Sequence, residues 1–357
     1  MLCLESLELA TQNIDVEIIV VDNASGDNTK TLVSQNFPQV KYIQSETNDG
    51  FSIANNKGIT VAKGEYIFLI NPDTVISESA IKNAMLKHKS LPNCGILGVQ
   101  LVDGTGHFLP ESKINQLTLK VAVFKFLGLP KSFYNHNIHE DDEGETATLV
   151  GAFMCFKKKD YHLVEGLDDN YFMYGEDIDL SYQFVKKGFK NYYFGKEQIL
   201  HFKGESTLKD TAYFNRFFAS VKYYFQKHYT NSKWIVSLLS LFFVIAKWTK
   251  KSDMVKKHRI ASDFNQIVCV TNNDDLIHKL TKHFQTEVLR HNPSTFQKTS
   301  LQNDYIIFDK NCLTFKEIIQ MMKKNATQEN YFRIKPSNFD VLLGSDSSTS
   351  QGEIILL

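Results

Sequence analysis

Three acids, Glu176, Asp177 and Asp179, fall within the first turn of "EDIDLSYQFVKKG", directly after the aromatic run "YFMYG". Acids at a helix start interact favourably with the helix dipole and its free N–H groups, which accounts for one of them as a cap. Capping needs only one. A carboxylate held at a helix start is also well placed to be aimed at a reacting proton, so the surplus points to acid–base chemistry as well as to helix stability. A second polar grouping sits where apolar runs end. Asp22 and Asn23 follow "VEIIVV", and Asn71 and Asp73 follow "EYIFLI". Open α/β sheets bind ligands at such strand ends.

The elements that must position these residues are those of an α/β chain. Apolar runs at 16–23, 40–45 and 65–73 read as strands of a largely parallel sheet. Between the last two, "SIANNKGITVAKG" (52–64) reads as a helix with Ser52 as N-cap and Gly64 just past its end. Residues 103–147 are less regular: 117–133 reads as a helix packed on the core, and 139–148 as an acidic loop. A second α/β pattern occupies 261–357, with strands near "QIVCV", "EVLRH", "YIIFD", "YFRI" and "DVLLG" and helices near "DDLIHKLTKHF" and "FKEIIQMMKK". Its first strand is followed by "VTNNDD" instead of a G-x-G-x-x-G turn, so a packing or partner-docking role is expected there, not an intact dinucleotide site. The chain therefore divides into a larger unit over 1–230, an apolar and basic segment over 231–260 and a smaller α/β unit over 261–357.

Composition bounds the function. The 357 residues are 43% hydrophobic, enough for a large core and a smaller one. Lys plus Arg and Asp plus Glu number 40 each, so no global field favours nucleic acid. Five scattered cysteines with no C-x-x-C pair fit a reducing compartment, and "MLCLESLELATQ" lacks the features of a signal peptide. A cytoplasmic location is expected. The run from Trp234 to Trp248, flanked by lysines, would as a helix span roughly 22 Å, short of the ~30 Å hydrocarbon core. Two readings stand: a helix buried between the two domains, or one lying in the membrane interface with its lysines at the headgroups.

Six pieces, in order, resemble the family 2 glycosyltransferases of the GT-A fold, in particular their bacterial rhamnosyltransferase-like branch: "VVDNASGD", "NDGFSIANNKG", "INPDT", "GAFM", "YFMYGEDIDLSYQFVKKG" and "HFKGEST". They cover roughly the first 210 residues. The resemblance implies a GT-A-type Rossmann-like nucleotide-sugar-binding domain, with the smaller α/β unit resembling accessory domains of bacterial sugar-transfer proteins. It also implies an inverting transfer from a dTDP- or UDP-sugar to a bacterial surface-glycan acceptor, possibly lipid-linked. Relatives begin with a strand ahead of the helix that ends in "CLESL", and this chain opens at that helix. That departure supports a rival reading, a catalytically silent GT-A-like protein that binds nucleotide sugar or a partner enzyme.

By the same resemblance, Asp177 is the base and Glu176 its neighbour, bonded to acceptor or backbone, while Asp179 caps the helix. "NPD" stands where the family carries its D-x-D-type motif, which makes Asp73 a ligand of Mg²⁺ or Mn²⁺, with His201 contributing. Asp22, Asn23, Asn48, Gly50, Asn55, Asn56 and Asn71 fall on the donor side. Each has a plainer reading. Asp73 also suits a turn cap after Pro72, His201 a buried imidazole, Asp22 an Asx-turn, and Asn55 and Asn56 a polar helix surface. The aromatic run Tyr171, Phe172 and Tyr174 suits core packing or an acceptor-side wall.

Overall fold

The computed structural model describes residues 1–203, 211–229, 234–237, 239–241, 263–296, 301–326, 329–347 and 352–357. In the larger unit the strands are β1 (Ile19–Asp22), β2 (Lys41–Gln44), β3 (Tyr66–Ile70), β4 (Thr74–Ile76), β5 (Cys94–Val102), β6 (Glu143–Glu145), β7 (Phe153–Lys157) and β8 (Lys190–His201). Its helices are α1 (Leu2–Ala10), α2 (Thr29–Asn36), α3 (Phe51–Val61), α4 (Ala80–Ser90), α5 (Leu119–Phe126), α6 (Lys158–Leu163), α7 (Glu176–Lys186) and α8 (Thr211–His228).

The main sheet runs β3-β7-β5-β8-β4, with β6 also on β8. Only β5 and β8 are parallel within it; β3 with β7, β7 with β5 and β8 with β4 are antiparallel. This corrects the expectation of a largely parallel sheet. Strand β7 returns from the long 103–147 excursion to pair with β3, a partnership that local periodicity does not report. Strands β1 and β2 pair in parallel as a separate two-stranded sheet. Helix α3 links them to the rest: a Cβ on Gly58 would lie 3.1 Å from Val21.

Burial on both faces of β5 sets the layers. Leu97, Val99 and Leu101 point into a core completed by Cys3, Leu4 and Leu7 of α1 and by Ala80, Ile81 and Ala84 of α4. Ile96 belongs to the opposite core, with Ile59 of α3, Tyr161 of α6 and Leu180 and Phe184 of α7. The period of two in the strand thus becomes a three-layer sandwich.

The smaller unit carries β9 (Ile267–Val270), β10 (Val288–His291), β11 (Tyr305–Asp309), β12 (Tyr331–Lys335), β13 (Val341–Gly344) and β14 (Glu353–Leu356), in the order β10-β9-β11-β12-β13-β14. Helices α9 (Asp274–Phe284), α10 (Pro293–Phe296) and α11 (Phe315–Asn325) accompany them. Strand β14 and helix α10 were not expected from the sequence. Helix α11 opens with a capping box between Thr314 and Glu317. Its apolar face, with Phe315, Ile318, Ile319 and Met322, shares a core with Leu2, Val75, Val102 and Leu200 of the larger unit. Glu78, in the loop between β4 and α4, accepts bonds from Phe315 N at 2.7 Å and Lys316 N at 3.1 Å, so one unit supplies an anion to the other's helix start.

Most of the 231–260 segment lies outside the described residues. Within it, Ile235 and Leu239 are buried with residues of α5, α7 and α8 of the larger unit. Trp234 and Leu241 are 60% and 58% exposed. No helix among the described residues is long and apolar enough to cross a membrane.

Candidate active site

Strand β3 ends at a tight turn over Asn71–Thr74. Asn71 O accepts from Thr74 N at 3.2 Å and from the Thr74 hydroxyl at 2.8 Å, which turns the chain straight into β4. Strand β4 then pairs antiparallel with the end of β8, with Thr74 opposite His201. Phe202 N donates to Asp73 O at 3.0 Å, extending the pairing by one residue. Asp73 and His201 are brought together by this register. Their side chains are about nine-tenths buried, with His201 Nε2 3.4 Å from Asp73 Oδ1, while His201 Nδ1 is buried without a partner. Glu111, in the short 3₁₀ turn Pro110–Ser112, pairs with Lys203 just past the strand end. Burial opposes the Glu111 charge, but Lys203, and less strongly His201, outweigh it and hold the carboxyl below its ordinary value.

The acid pair is built by strain and burial. Helix α7 starts after two left-handed residues, Tyr174 at φ 69° and Gly175 at φ 110°, an arrangement unfavourable for the tyrosine. Asp177 Oδ1 accepts from Ile178 N at 2.8 Å and Oδ2 from Gly151 N at 3.3 Å. Burial nevertheless pushes its carboxyl above the ordinary value. Glu176 is buried, and its Oε2 has no partner. Burial first, and then the charge of Asp177, raise its carboxyl to about 8.

Two adjacent backbone groups join the clusters. Gly151 N donates to Asp177, and the carbonyl of Ala152 accepts from Asn71 N at 3.2 Å, at the head of the turn that carries Asp73. A Cβ on Gly151 would meet Phe51 at 3.3 Å. Phe51 N in turn donates to Phe172 O at 2.7 Å, beside the acid pair. Here Gly50 is required: its φ is +87°, and a Cβ would lie 2.4 Å from Phe172 O. Gly50 is also the residue that caps α3, which corrects the assignment of Ser52; Ser52 is fully buried inside the helix.

The donor-side residues divide into two groups. Asp22 is buried, accepting from Ser25 N at 2.7 Å and from the Tyr42 hydroxyl, so the turn-closing geometry is realised. Burial opposes its charge, yet these bonds more than offset it and lower the carboxyl below its ordinary value. Asn23 donates to Asn48 Oδ1 at 2.8 Å and Gly50 O at 3.1 Å, and accepts from Asp49 N at 3.0 Å. The loop after β1 is thereby tied to the "NDG" turn. An open cleft beside it is lined by Ala24, Ser25, Gln44, Ser45 and Glu46. The β2 end was missed from sequence, although the same strand-end rule applies to "YIQSE".

Asn55 and Asn56 behave differently. Asn55 bonds back to Phe51 O at 2.9 Å, within its own helix. Asn56 donates to Leu167 O at 2.8 Å and Asp169 Oδ1 at 2.7 Å, and accepts from the Tyr161 hydroxyl. Both amide protons tie α3 to the 161–169 segment. Asp179 is corrected: it is not a surface cap. Fully buried, it accepts from His228 Nε2 at 2.6 Å and from Lys227 Nζ and Gln183 Nε2 at 2.8 Å each, pinning α8 to α7. Tyr171 is core and bonds Asp179 at 3.3 Å, whereas Phe172 is 41% exposed beneath Arg216.

Residues 2–160 match the family model "Glycosyl transferase family 2". The chain carries a family 2 glycosyl transferase domain. Among relatives, it is 27% identical over 228 residues to the N-acetylglucosaminyl-diphospho-decaprenol L-rhamnosyltransferase of Mycobacterium tuberculosis, covering 58% of this chain and 73% of that one. It is also 27% identical over 171 residues to a low-salt glycan biosynthesis hexosyltransferase of Haloferax volcanii, covering 47% and 52%. Among solved structures, the mannosyltransferase of Pyrobaculum calidifontis in complex with GDP-Man and Mn²⁺ is 15% identical at a TM-score of 0.42, covering 70% of this chain and 72% of that one. A likeness that loose places no residue. The glycosyltransferase domain therefore rests on its family match and its relatives, and its site on its own geometry.

The state of Glu176 has a measurable consequence. Its folded carboxyl keeps a proton to about 8, whereas the unfolded one releases it near 4.5. Between those values the folded protein binds more protons, so this group's contribution falls as pH rises through the window and levels off above it. Glu176→Gln removes that dependence. The variant is expected to match the parent near pH 5 and to exceed it by a few kcal/mol near pH 8.5, since each tenfold difference in proton affinity between folded and unfolded chain is worth about 1.4 kcal/mol. Urea denaturation at both pH values measures it; a parent-to-variant difference independent of pH would mean that Glu176 titrates as an ordinary carboxyl.

Proposed function

We propose that this glycosyltransferase domain moves a sugar, with inversion, from a nucleotide diphosphate donor, a dTDP- or UDP-sugar, to a bacterial surface-glycan acceptor on a lipid carrier. The observation that carries the reading is the backbone link through Gly151 and Ala152, which joins the acid pair of buried Glu176 and half-buried Asp177 to the Asp73–His201 pair at the strand ends. The relative from Mycobacterium tuberculosis, named for an acceptor on a decaprenol diphosphate, supports the acceptor class.

In this reading Asp177 takes the proton of the acceptor hydroxyl as its oxygen attacks the anomeric carbon. Burial raises its carboxyl above the ordinary value, which makes it a stronger base. Glu176, protonated up to about 8, spares Asp177 a second anion at close range. The bonds from Ile178 N and Gly151 N orient Asp177. Asp22 keeps lone pairs free for base or ribose, since a carboxylate has about four acceptor sites. Asn23, Asn48 and Gly50 shape the loop beside it, and Asn71 holds the turn under the diphosphate.

Asp73 and His201 fit Mg²⁺ or Mn²⁺ as an incomplete ligand pair. They are close together, and no cluster of three or more His, Cys, Asp or Glu among the described residues holds a metal unaided. Such cations often use one or two protein ligands and complete their shell with phosphate oxygens and water. When bound, the cation would neutralise charge on the departing nucleotide diphosphate. Attachment to the inner face of the membrane is proposed from the exposed Trp234 and Leu241, with Leu127 and Leu129 exposed at the end of α5.

Three outcomes test the reading. Asp177→Asn is expected to lower turnover by about 10²–10⁴-fold with donor affinity unchanged; equal activity in variant and parent sinks the base assignment, and a parent inactive toward every donor favours the silent protein. Asp73→Ala should weaken UDP binding in the presence of Mn²⁺ and match the parent once a chelator is added. Titration calorimetry reads this directly, and parental binding that ignores the chelator counts against the metal. Finally, the protein should float with anionic liposomes at low salt and be released at high salt, because part of the attraction is screened. Absence from the floating fraction at any salt argues against the membrane contact.

A further inference from the structure

One cation next to the Asp73–His201 pair already has a partner. Lys203 lies two residues after His201, with its backbone in the left-handed region at φ 58°. A residue with a Cβ holds that conformation only where its surroundings impose it, and such positions cluster at ligand clamps. Its ammonium pairs with the Glu111 carboxylate. That acid is fixed in turn: Ser112, next to it in the 3₁₀ turn, donates to Leu109 O at 2.6 Å and accepts from Leu101 N of β5 at 3.0 Å. Glu111 is thus carried on a bonded turn, and Lys203 places its ammonium at the end of a four-carbon stem. Solvent reaches 28% of the lysine side chain and 16% of the glutamate.

A carboxylate beside a diphosphate site is an odd fixture if its only role is to be there, because it repels the ligand. A lysine that can change partners removes the difficulty. An ammonium on a four-carbon stem offers three donors with little directional demand. A diphosphate carries more charge than one carboxylate and presents more acceptor oxygens.

We propose that Lys203 is a phosphate-contacting residue held in waiting by Glu111, and that its ammonium leaves Glu111 for the diphosphate oxygens when the donor binds. This rests on the reading that the diphosphate sits at Asp73 and His201. Glu111 then competes with the ligand for one cation. A purely structural ion pair has no such competition: removing either partner would act in the same direction.

Titration calorimetry with UDP, inorganic pyrophosphate and uridine, in the presence of Mn²⁺, separates the two. Lys203→Met is expected to weaken UDP and pyrophosphate on the order of tenfold, the size of one charge-assisted bond, and to leave uridine unchanged. Glu111→Gln, which frees the ammonium without changing shape, is expected to tighten UDP and pyrophosphate by a few-fold, and Lys203→Arg to recover most of the parent's affinity. Should Lys203→Met fail to fold, the sign of the Glu111→Gln effect still decides. UDP bound by the parent, with Glu111→Gln weakening or not altering it, overturns this inference alone. UDP that does not bind the parent at all overturns the site reading and this inference with it.

Discussion

The short antiparallel pairing of β4 with the end of β8 is the constraint on which the candidate site depends. It consists of Thr74 opposite His201, Val75 opposite Leu200 and Ile76 opposite Ile199. A slip of one residue would part Asp73 from His201 and reverse the faces of Val75, Ile76, Ile199 and Leu200, all completely buried. Successive pairs face different cores. Ile76 and Ile199 pack with α1 and α4, whereas Val75 and Leu200 pack with the apolar face of α11. Both faces of the pairing are therefore filled, and register is specified from two sides.

That arrangement gives the smaller unit a part in holding the site. Strand β4 runs from Asp73 at one end to the loop of Glu78 and Ser79 at the other. Glu78 receives the first backbone N–H groups of α11, and Lys316 reaches Ser79 at 3.2 Å. Glu197 of β8 is buried against Ser79 and Asn83. The pairing that presents Asp73 and His201 is thus clamped at its other end, where polar bonds across the two units supplement the shared apolar core.

The acid pair shows the opposite economy. Glu176 sits buried with an oxygen unsatisfied, and Tyr174 in front of it holds a left-handed backbone. Both are unfavourable locally and tolerated because the surroundings are rigid. Phe172 O, pressed against Gly50, fixes the approach to α7, while Asp179 anchors the helix to α8 through Lys227 and His228. Removing one partner of that buried cluster would leave an uncompensated charge, so it acts more as a positional lock than as a source of net stability.

Local chemistry along the chain was enough to determine the α/β class, the first three strands of the larger unit, most elements of the smaller one, the polar strand ends at Asp22 and Asp73, and the surplus of acids at the start of α7. Each of these depends on near neighbours: apolar periodicity, capping and the residue that ends a strand. Partners distant in the chain were another matter. Only tertiary structure decided that β3 lies against β7 in antiparallel fashion, that β1 and β2 stand apart, that Asp179 faces inward to α8 and that Asn56 serves the 161–169 segment. The physical reason is that a polar side chain in a helix reads the same whether it meets water or a buried donor. Its partner, 48 residues away for Lys227 and Asp179 and 113 for Asn56 and Asp169, is selected by packing that no local pattern records.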